Sequence, residues 1–482
     1  MLDQFTRQNR WWADPAQIQS DRHLTRVNEA RLAWSPDLPF RFDRDSVYTV
    51  RGPRQVGKTT LLKRQIQALL VAGWPARKIL YLDVELAGLE RARDLVSALR
   101  EYLDSERPLR PDTDERCAIF LDEVTRADGW AGALRGLIDN GELDRTTVIA
   151  TGSHTRDLRE GGDRLPGRRG GGSELDLELL PLSFREYVQL VEPGLRLPTT
   201  IGTPTAAELR AGSRQRDSIR HRLNSLFERY LLIGGFLTAL NDDATYSQVR
   251  AETYQSYRDS IIGEFTRAGL RESYLRELIN WLVDHLGQEF DYRDVAADTD
   301  IGSKDTARNY LDHLESSYVL GIFHRTASLA APAPAFRGPK KVHPKDPFWW
   351  HLLLGWAASD PDPWQSAVAL LANSRESGRL VESVVASELQ RGFGERVFYW
   401  RPDAQREIDF VVVPPGSRPA PIEVKYQRRI DAADARGLIA AGGGLLLTQN
   451  WHGDLGDGAV YALPVAEFLA TLDTRALSAA RW

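Results

Sequence analysis

The chain has 482 residues, of which 42% are hydrophobic and 27% charged, and its 62 basic and 67 acidic side chains give a formal net charge of −5. That length exceeds a single hydrophobic core and that balance excludes general disorder, so about two to four globular domains are expected. The near-balanced charge excludes a uniformly cationic surface and confines any nucleic-acid contact to local basic patches.

The first residues, Met1-Leu2-Asp3-Gln4-Phe5-Thr6-Arg7, lack the charged and then apolar layout of a secretory signal. No run approaches the roughly 18 unbroken apolar residues of a membrane span. A cytoplasmic protein is expected, with residues 1–45 an N-terminal helical segment.

The β-rich run Ser46-Val47-Tyr48-Thr49-Val50 is followed by Gly52-Pro53-Arg54-Gln55-Val56-Gly57-Lys58-Thr59-Thr60 and then by helix-forming residues. Strand, phosphate loop and helix follow in that order. Gly52 and Gly57 let the backbone N–H groups curl toward phosphates, Lys58 reaches the outer phosphates, and the Thr59 hydroxyl suits Mg²⁺. ATP and Mg²⁺ are the cofactors this implies. The lone cysteine, Cys117, precedes the apolar run Ala118-Ile119-Phe120-Leu121 and reads as a core residue. That run ends in Asp122 and Glu123, which places Asp122 at the metal and leaves Glu123 to polarise the attacking water. A third strand, Thr147-Val148-Ile149-Ala150-Thr151, ends at Gly152-Ser153-His154 and offers Ser153 or Thr151 as a γ-phosphate sensor. A hydroxyl that only caps a turn is the alternative.

These segments, with Trp130, Gly167-Arg168 and Pro181-Leu182-Ser183-Phe184-Arg185-Glu186-Tyr187, resemble the prokaryotic AAA-type P-loop ATPases that carry a poorly characterised C-terminal domain. The resemblance runs over most of the chain. It implies an ATPase core over 46–190, a helical lid over 191–272 closed by Gly234-Gly235-Phe236, a homo-oligomer, and an arginine, Arg168, that contacts nucleotide at a subunit boundary. Leu237 stands where the family often has proline and Thr125 where it often has glutamine. Arg168 also lies in an arginine- and glycine-rich stretch that reads as a basic loop, where a guanidinium suits transition-state charge.

Three helices are expected over Leu275–Leu286, Tyr292–Asp298 and Ser303–Ser316, followed by the strand Val319–Phe323. The order is that of a winged helix over 273–326. Ser303 is the expected N-cap, and Arg308 and Asn309 are candidates for contacting DNA. The proline-rich segment Ala330–Pro339 reads as a linker, with bounds 327–345.

Beyond it, 346–482 reads as an α/β module. If Glu407-Ile408-Asp409-Phe410-Val411-Val412-Val413 and Pro421-Ile422-Glu423-Val424-Lys425 form a hairpin centred on Gly416, Asp409 falls opposite Glu423 and Lys425 shares the Glu423 face. Two carboxylates and an ammonium then converge. The spacing resembles the PD-(D/E)XK nuclease superfamily, which implies Mg²⁺ or Mn²⁺ on Asp409, Glu423 and Glu382 and a catalytic Lys425. Arg391, Arg396, Arg401, Arg406, Arg428 and Arg429 suggest a phosphate-tracking surface. The fold class is thus multidomain α/β: a P-loop core with helical lid, a winged helix and a nuclease-like domain. The function expected is ATP hydrolysis coupled to DNA or junction processing. The alternative is an ATP-dependent switch or remodelling motor whose C-terminal domain only binds DNA or a partner protein.

Overall fold

The computed structural model describes residues 2–36, 38–106, 115–152, 175–403 and 406–479. The chain forms two compact units that divide between Leu180 and Pro181. No helix among the described residues is long and apolar enough to cross a membrane.

The first unit is built on a sheet of β1 (Ser46–Arg51), β2 (Ile79–Asp83), β3 (Cys117–Asp122), β4 (Thr146–Gly152) and β5 (Asp176–Glu178) in the order β2-β3-β4-β1-β5. Every pairing is parallel. Because the side-chain period is two, each strand divides its residues between two cores. Leu80, Leu82, Ile119, Leu121, Val148 and Ala150 enter one, with the helices Ala92–Glu106 and Trp130–Asp139. Tyr48, Val50, Ile79, Tyr81, Phe120 and Ile149 enter the other, with the helix Lys58–Val71. Cys117 is buried, as its apolar context suggested.

The N-terminal segment is a working part of this sheet. As the edge strand, β2 would leave backbone groups unpaired, an invitation to foreign strands. Side chains fill those positions: the Asn9 amide donates to Tyr81 O at 2.8 Å and accepts from Tyr81 N at 2.6 Å. Gln8 Oε1 accepts from Asp83 N, and the indoles of Trp11 and Trp12 both donate to Ile79 O.

The second unit contains helices through 206–267, including Arg220–Ile233 and Ala251–Arg267, and then a mixed sheet. Its strands are β6 (Leu320–Thr326), β7 (Lys340–Pro344), β8 (Val397–Asp403), β9 (Arg406–Val412), β10 (Ala420–Lys425), β11 (Gly444–Thr448), β12 (Gly453–Leu455) and β13 (Val460–Pro464), in the order β12-β13-β11-β10-β9-β8-β6-β7. Helices Glu272–His285, Tyr292–Asp298 and Lys304–Ser316 precede it, with Gly302 at φ +76° in the turn and Ser303 as N-cap.

Two segments pack otherwise than their expected bounds suggest. The segment read as a linker joins β6 to β7, which pair antiparallel, while β6 also pairs with β8. Prolines there terminate strands within one sheet and do not separate domains. Residues 181–190, assigned to the ATPase core, belong to the second unit: Leu182 N donates to Gly235 O at 2.8 Å and Tyr230 Oη donates to Leu182 O at 2.9 Å. Phe184 N donates to Glu388 Oε1, and Ser183 and Glu186 form a capping box on the helix Phe184–Val191. At the same hub Asp346 accepts from Gly235 N at 2.9 Å and from Phe348 N at 2.8 Å.

Candidate functional site

In the first unit, three strand ends meet the phosphate loop. Gly52 is required there because Leu179 N donates to Arg51 O at 2.7 Å, and a Cβ on Gly52 would lie 2.0 Å from Leu179 O. Gly57 has φ +106°, accessible to glycine at little cost, and caps the helix Lys58–Val71 without a side-chain hydrogen bond. With no side chain capping it, the start of that helix and its macrodipole favour an anion at the phosphate loop. Pro53, Arg54, Gln55 and Val56 form the turn between, Gln55 at φ +60°. Lys58 is 5% exposed. Its ammonium donates to Gly52 O at 2.8 Å and Pro53 O at 3.0 Å, so the loop is closed on its own lysine.

Asp122 is the hub of the site and is 1% exposed. Its Oδ2 accepts from Thr59 Oγ1 at 2.7 Å and from Tyr81 Oη at 2.8 Å, and its Oδ1 accepts from Thr151 Oγ1. A hydroxyl touching a carboxylate at the mouth of a phosphate loop is a donor set that fits Mg²⁺ with retained waters. Thr60 follows on the same helix, one residue beyond the Thr59 contact. Glu123 sits at φ +49°, uncommon for a residue with a Cβ, and its N–H donates to Thr151 Oγ1 at 3.2 Å. This backbone turn carries the Glu123 side chain away from the line of the strand. Thr151, the alternative sensor hydroxyl, thus braces the two acids. Ser153 and Arg168 lie outside the described residues.

Tyr81 was not legible as a site residue, because in Ile79-Leu80-Tyr81-Leu82 it reads as a core aromatic. The structure makes it a link. Its hydroxyl holds Asp122, its backbone is clasped by Asn9, and Lys63 Nζ lies 3.4 Å from its ring centroid. Burial, followed by the charge of Asp122, raises the Tyr81 hydroxyl well above its ordinary pKa, so it stays a donor. Tyr81→Phe is expected to lower ATPase kcat/KM by about tenfold and to shift the Mg²⁺ dependence to higher concentration. Steady-state turnover across a Mg²⁺ titration checks this, and an unchanged Mg²⁺ profile would remove Tyr81 from the site.

In the second unit β9 and β10 pair with Phe410 opposite Ile422 and Val411 opposite Pro421, the register expected from a hairpin centred on Gly416. At the next position side chains continue the ladder. Val424 N donates to Asp409 Oδ2 at 2.8 Å, and Asp409 N donates to Glu423 Oε2 at 3.4 Å. Lys425 Nζ donates to Glu423 Oε1 at 2.5 Å. Burial, then Glu382, pushes Asp409 up to about 6. Burial, then Asp409, pushes Glu423 up to about 8. Burial opposes the charge on Lys425, but Glu423 and Asp409 more than offset it and raise its pKa.

Glu382 neighbours Asp409 but is ion-paired to a lysine. It lies 3.5 Å from Lys341 Nζ, which also contacts Glu407 at 2.5 Å. Among the described residues no three His, Cys, Asp or Glu side chains converge as metal ligands. A three-carboxylate metal set of Asp409, Glu423 and Glu382 does not fit this arrangement, because ammonium groups already compensate the carboxylates. Lys341, 4% exposed on β7, was hidden within the supposed linker. Arg391 also departs from the expected basic surface, being buried where it donates to Pro181 O at 2.6 Å. Arg406 pairs with Asp403, and Arg401 with Glu289. Of the helix residues singled out for DNA, Arg308 stacks over Tyr292, and Asn309 lines a groove of about 430 Å³ with Arg271 and Asp305.

Residues 224–360 and 377–465 match two domains of unknown function, DUF8612 and DUF4143. No curated protein matches the chain. Among solved structures, the Walker-type ATPase PABY2304 of Pyrococcus abyssi is 15% identical, covering 70% of this chain and 95% of that one with a TM-score of 0.38. The S. cerevisiae Hsp104–ADP complex is 16% identical over 77% of this chain and 44% of that one, with a TM-score of 0.25. C. elegans PCH-2 is 18% identical over 30% and 37%, with a TM-score of 0.22. Residues 44–188 match the AAA domain, and their parallel sheet, phosphate loop and Asp122-centred network make this part of the chain an AAA-type P-loop ATPase domain that uses ATP with Mg²⁺.

Proposed function

We propose that this protein couples ATP hydrolysis in its AAA-type domain to action on DNA through its second unit. The observation that carries the reading is the convergence of Asp409, Glu423 and Lys425 at the β9–β10 junction, a carboxylate and ammonium constellation suited to a phosphodiester. The three helices over 272–316 followed by the β6–β7 hairpin support a winged helix as the DNA-reading element. In the ATPase domain Lys58 and the loop N–H groups bind the phosphates, Asp122 and Thr59 hold the cation, and Glu123 orients water. Bound Mg²⁺ would neutralise phosphate charge. A homo-oligomer in which Arg168 meets a neighbour's nucleotide belongs to the same proposal, as does a cytoplasmic location.

The first form of this reading is metal-dependent cleavage, with Mg²⁺ or Mn²⁺ held by Asp409 and Glu423 while Glu382 stays with Lys341. The second reading, a switch or remodelling motor whose C-terminal module binds DNA or a partner protein without cutting, is favoured by Lys341 among the carboxylates. Labelled linear, single-stranded and four-way-junction DNA, incubated with either metal with and without ATP, separates them. Cleavage lost in Lys425→Ala, by at least about a hundredfold, supports a nuclease. DNA-stimulated ATP turnover without cleavage supports the motor. Turnover indifferent to every DNA would reject action on DNA.

A further inference from the structure

Asp122 collects hydroxyl donors from three residues, Thr59, Tyr81 and Thr151. Two of them sit on elements fixed inside the domain, the helix Lys58–Val71 and the central strand β4. Tyr81 does not. It lies on β2, the last strand on its side of the sheet, where β3 pairs with one flank and side chains meet the other. A phenol hydroxyl has a fixed reach from its ring. Whatever sets the backbone and the ring plane of Tyr81 therefore also sets where its hydroxyl meets Asp122 Oδ2, at 2.8 Å.

The N-terminal segment governs both. Asn9, fully buried, holds the backbone: its amide bonds Tyr81 N at 2.6 Å and Tyr81 O at 2.8 Å. The same amide donates to Phe5 O at 2.8 Å, which ties it to its own helix. Lys63 holds the ring. Its Nζ lies 3.4 Å from the Tyr81 centroid, a cation–π contact that burial strengthens, and 5.0 Å from that of Trp11. Asp21 in turn places the ammonium. Its Oδ2 lies 3.5 Å from Lys63 Nζ, while its Oδ1 accepts from His23 N at 2.9 Å and caps the helix Arg22–Glu29. Lys63 stands four positions after Thr59 on the helix Lys58–Val71, the spacing that puts two side chains on one face. Its side chain is 5% exposed, a costly place for an ammonium unless the ring and Asp21 compensate it.

We propose that the N-terminal segment is a clasp on the ATPase site, in which Asn9 and Lys63 are positioning residues that orient the Tyr81 hydroxyl and, through it, Asp122. Both act through that one hydroxyl and not on the nucleotide. Lifting residues 8–23 off β2 then weakens the domain's use of Mg²⁺ while the phosphate loop keeps its shape. This positioning presupposes that Asp122 holds the cation, as proposed above.

A cycle of full-chain variants with two readouts tests it: the Mg²⁺ concentration for half-maximal ATP turnover, and the affinity for a fluorescent ATP analogue measured with Mg²⁺ and with EDTA. Lys63→Met keeps an unbranched side chain and every backbone hydrogen bond of β2. It is expected to raise that Mg²⁺ concentration about fivefold and to reduce the Mg²⁺-dependent gain in analogue affinity by a similar factor, with affinity in EDTA unchanged. Asn9→Ala is expected to do the same. In a Tyr81→Phe background, which keeps ring and backbone and lacks only the hydroxyl, each is expected to add less than about twofold. A Lys63→Met effect that multiplies with that of Tyr81→Phe, or an equal loss of affinity in EDTA, overturns the proposal and assigns the clasp to stability alone. Lys63→Met decides this even where Asn9→Ala does not fold. Asp122→Asn separates the two readings. If its Mg²⁺ profile is unchanged, the cation lies elsewhere and both fall. A shifted Asp122→Asn profile beside an unshifted Lys63→Met profile overturns the clasp and spares the cation site.

Discussion

ATP turnover is expected to fall by about a thousandfold in Lys58→Ala, followed as phosphate release at saturating Mg²⁺. The reason is the way the loop is closed. Lys58 is nearly buried and spends its hydrogen bonds on Gly52 O and Pro53 O, two carbonyls that define the curve of the loop. An arriving phosphate exchanges those neutral acceptors for a charged one, and charge-assisted hydrogen bonds are about twice as strong. Alanine removes both the cation that meets the phosphate charge and the bond that shapes the empty loop. Because the helix Lys58–Val71 keeps its apolar anchors Leu61, Leu62 and Ile66, the domain is expected to stay folded. Turnover within about tenfold of wild type would mean that the catalytic phosphate contact lies elsewhere.

Gly234→Ala is expected to destabilise the second unit by more than about 4 kcal/mol, measured by denaturant unfolding. Gly234 has φ +76° and ψ −166°, a region essentially restricted to glycine. Space is also absent, since a Cβ would lie 1.9 Å from Asp346 Oδ1 and 2.7 Å from Phe348 N. Asp346 cannot retreat without releasing the N–H groups of Gly235 and Phe348. Gly194→Ala is the control, because a Cβ there meets nothing within 4 Å. Its stability is expected to match wild type within about 0.5 kcal/mol. A Gly234→Ala protein as stable as Gly194→Ala would mean that the hub repacks freely.

Features written in local sequence proved the most legible. The phosphate loop depends on glycines and a lysine at fixed offsets, and the strand ending in Asp122 and Glu123 is a contiguous apolar run. The β9–β10 register, Phe410 opposite Ile422, followed from counting outward from Gly416. What stayed hidden depends on distant partners. Nothing near Asn9 announces that its amide will act as a strand neighbour for Tyr81, 72 positions away. The Ala/Pro segment has the composition of a linker, and only the pairing of Leu320–Thr326 with Lys340–Pro344 reveals a hairpin. Arg391 looked like surface charge because its burial depends on Pro181 O, 210 positions away. Lys341 went unnoticed because two adjacent lysines ordinarily suggest solvent.

The continuity of the second sheet has a mechanical consequence. Phe290 bridges to Lys340, β7 pairs with β6, and β6 pairs with β8, which pairs with β9 and so reaches Asp409 through one run of backbone hydrogen bonds. Between the three-helix element and the carboxylates the described residues form one sheet, its ladder irregular only where β8 meets β9. Under the proposed action on DNA, such a body would work like a caliper of fixed gap: the place where DNA is gripped would dictate, in nucleotides, the place where it meets Asp409 and Lys425.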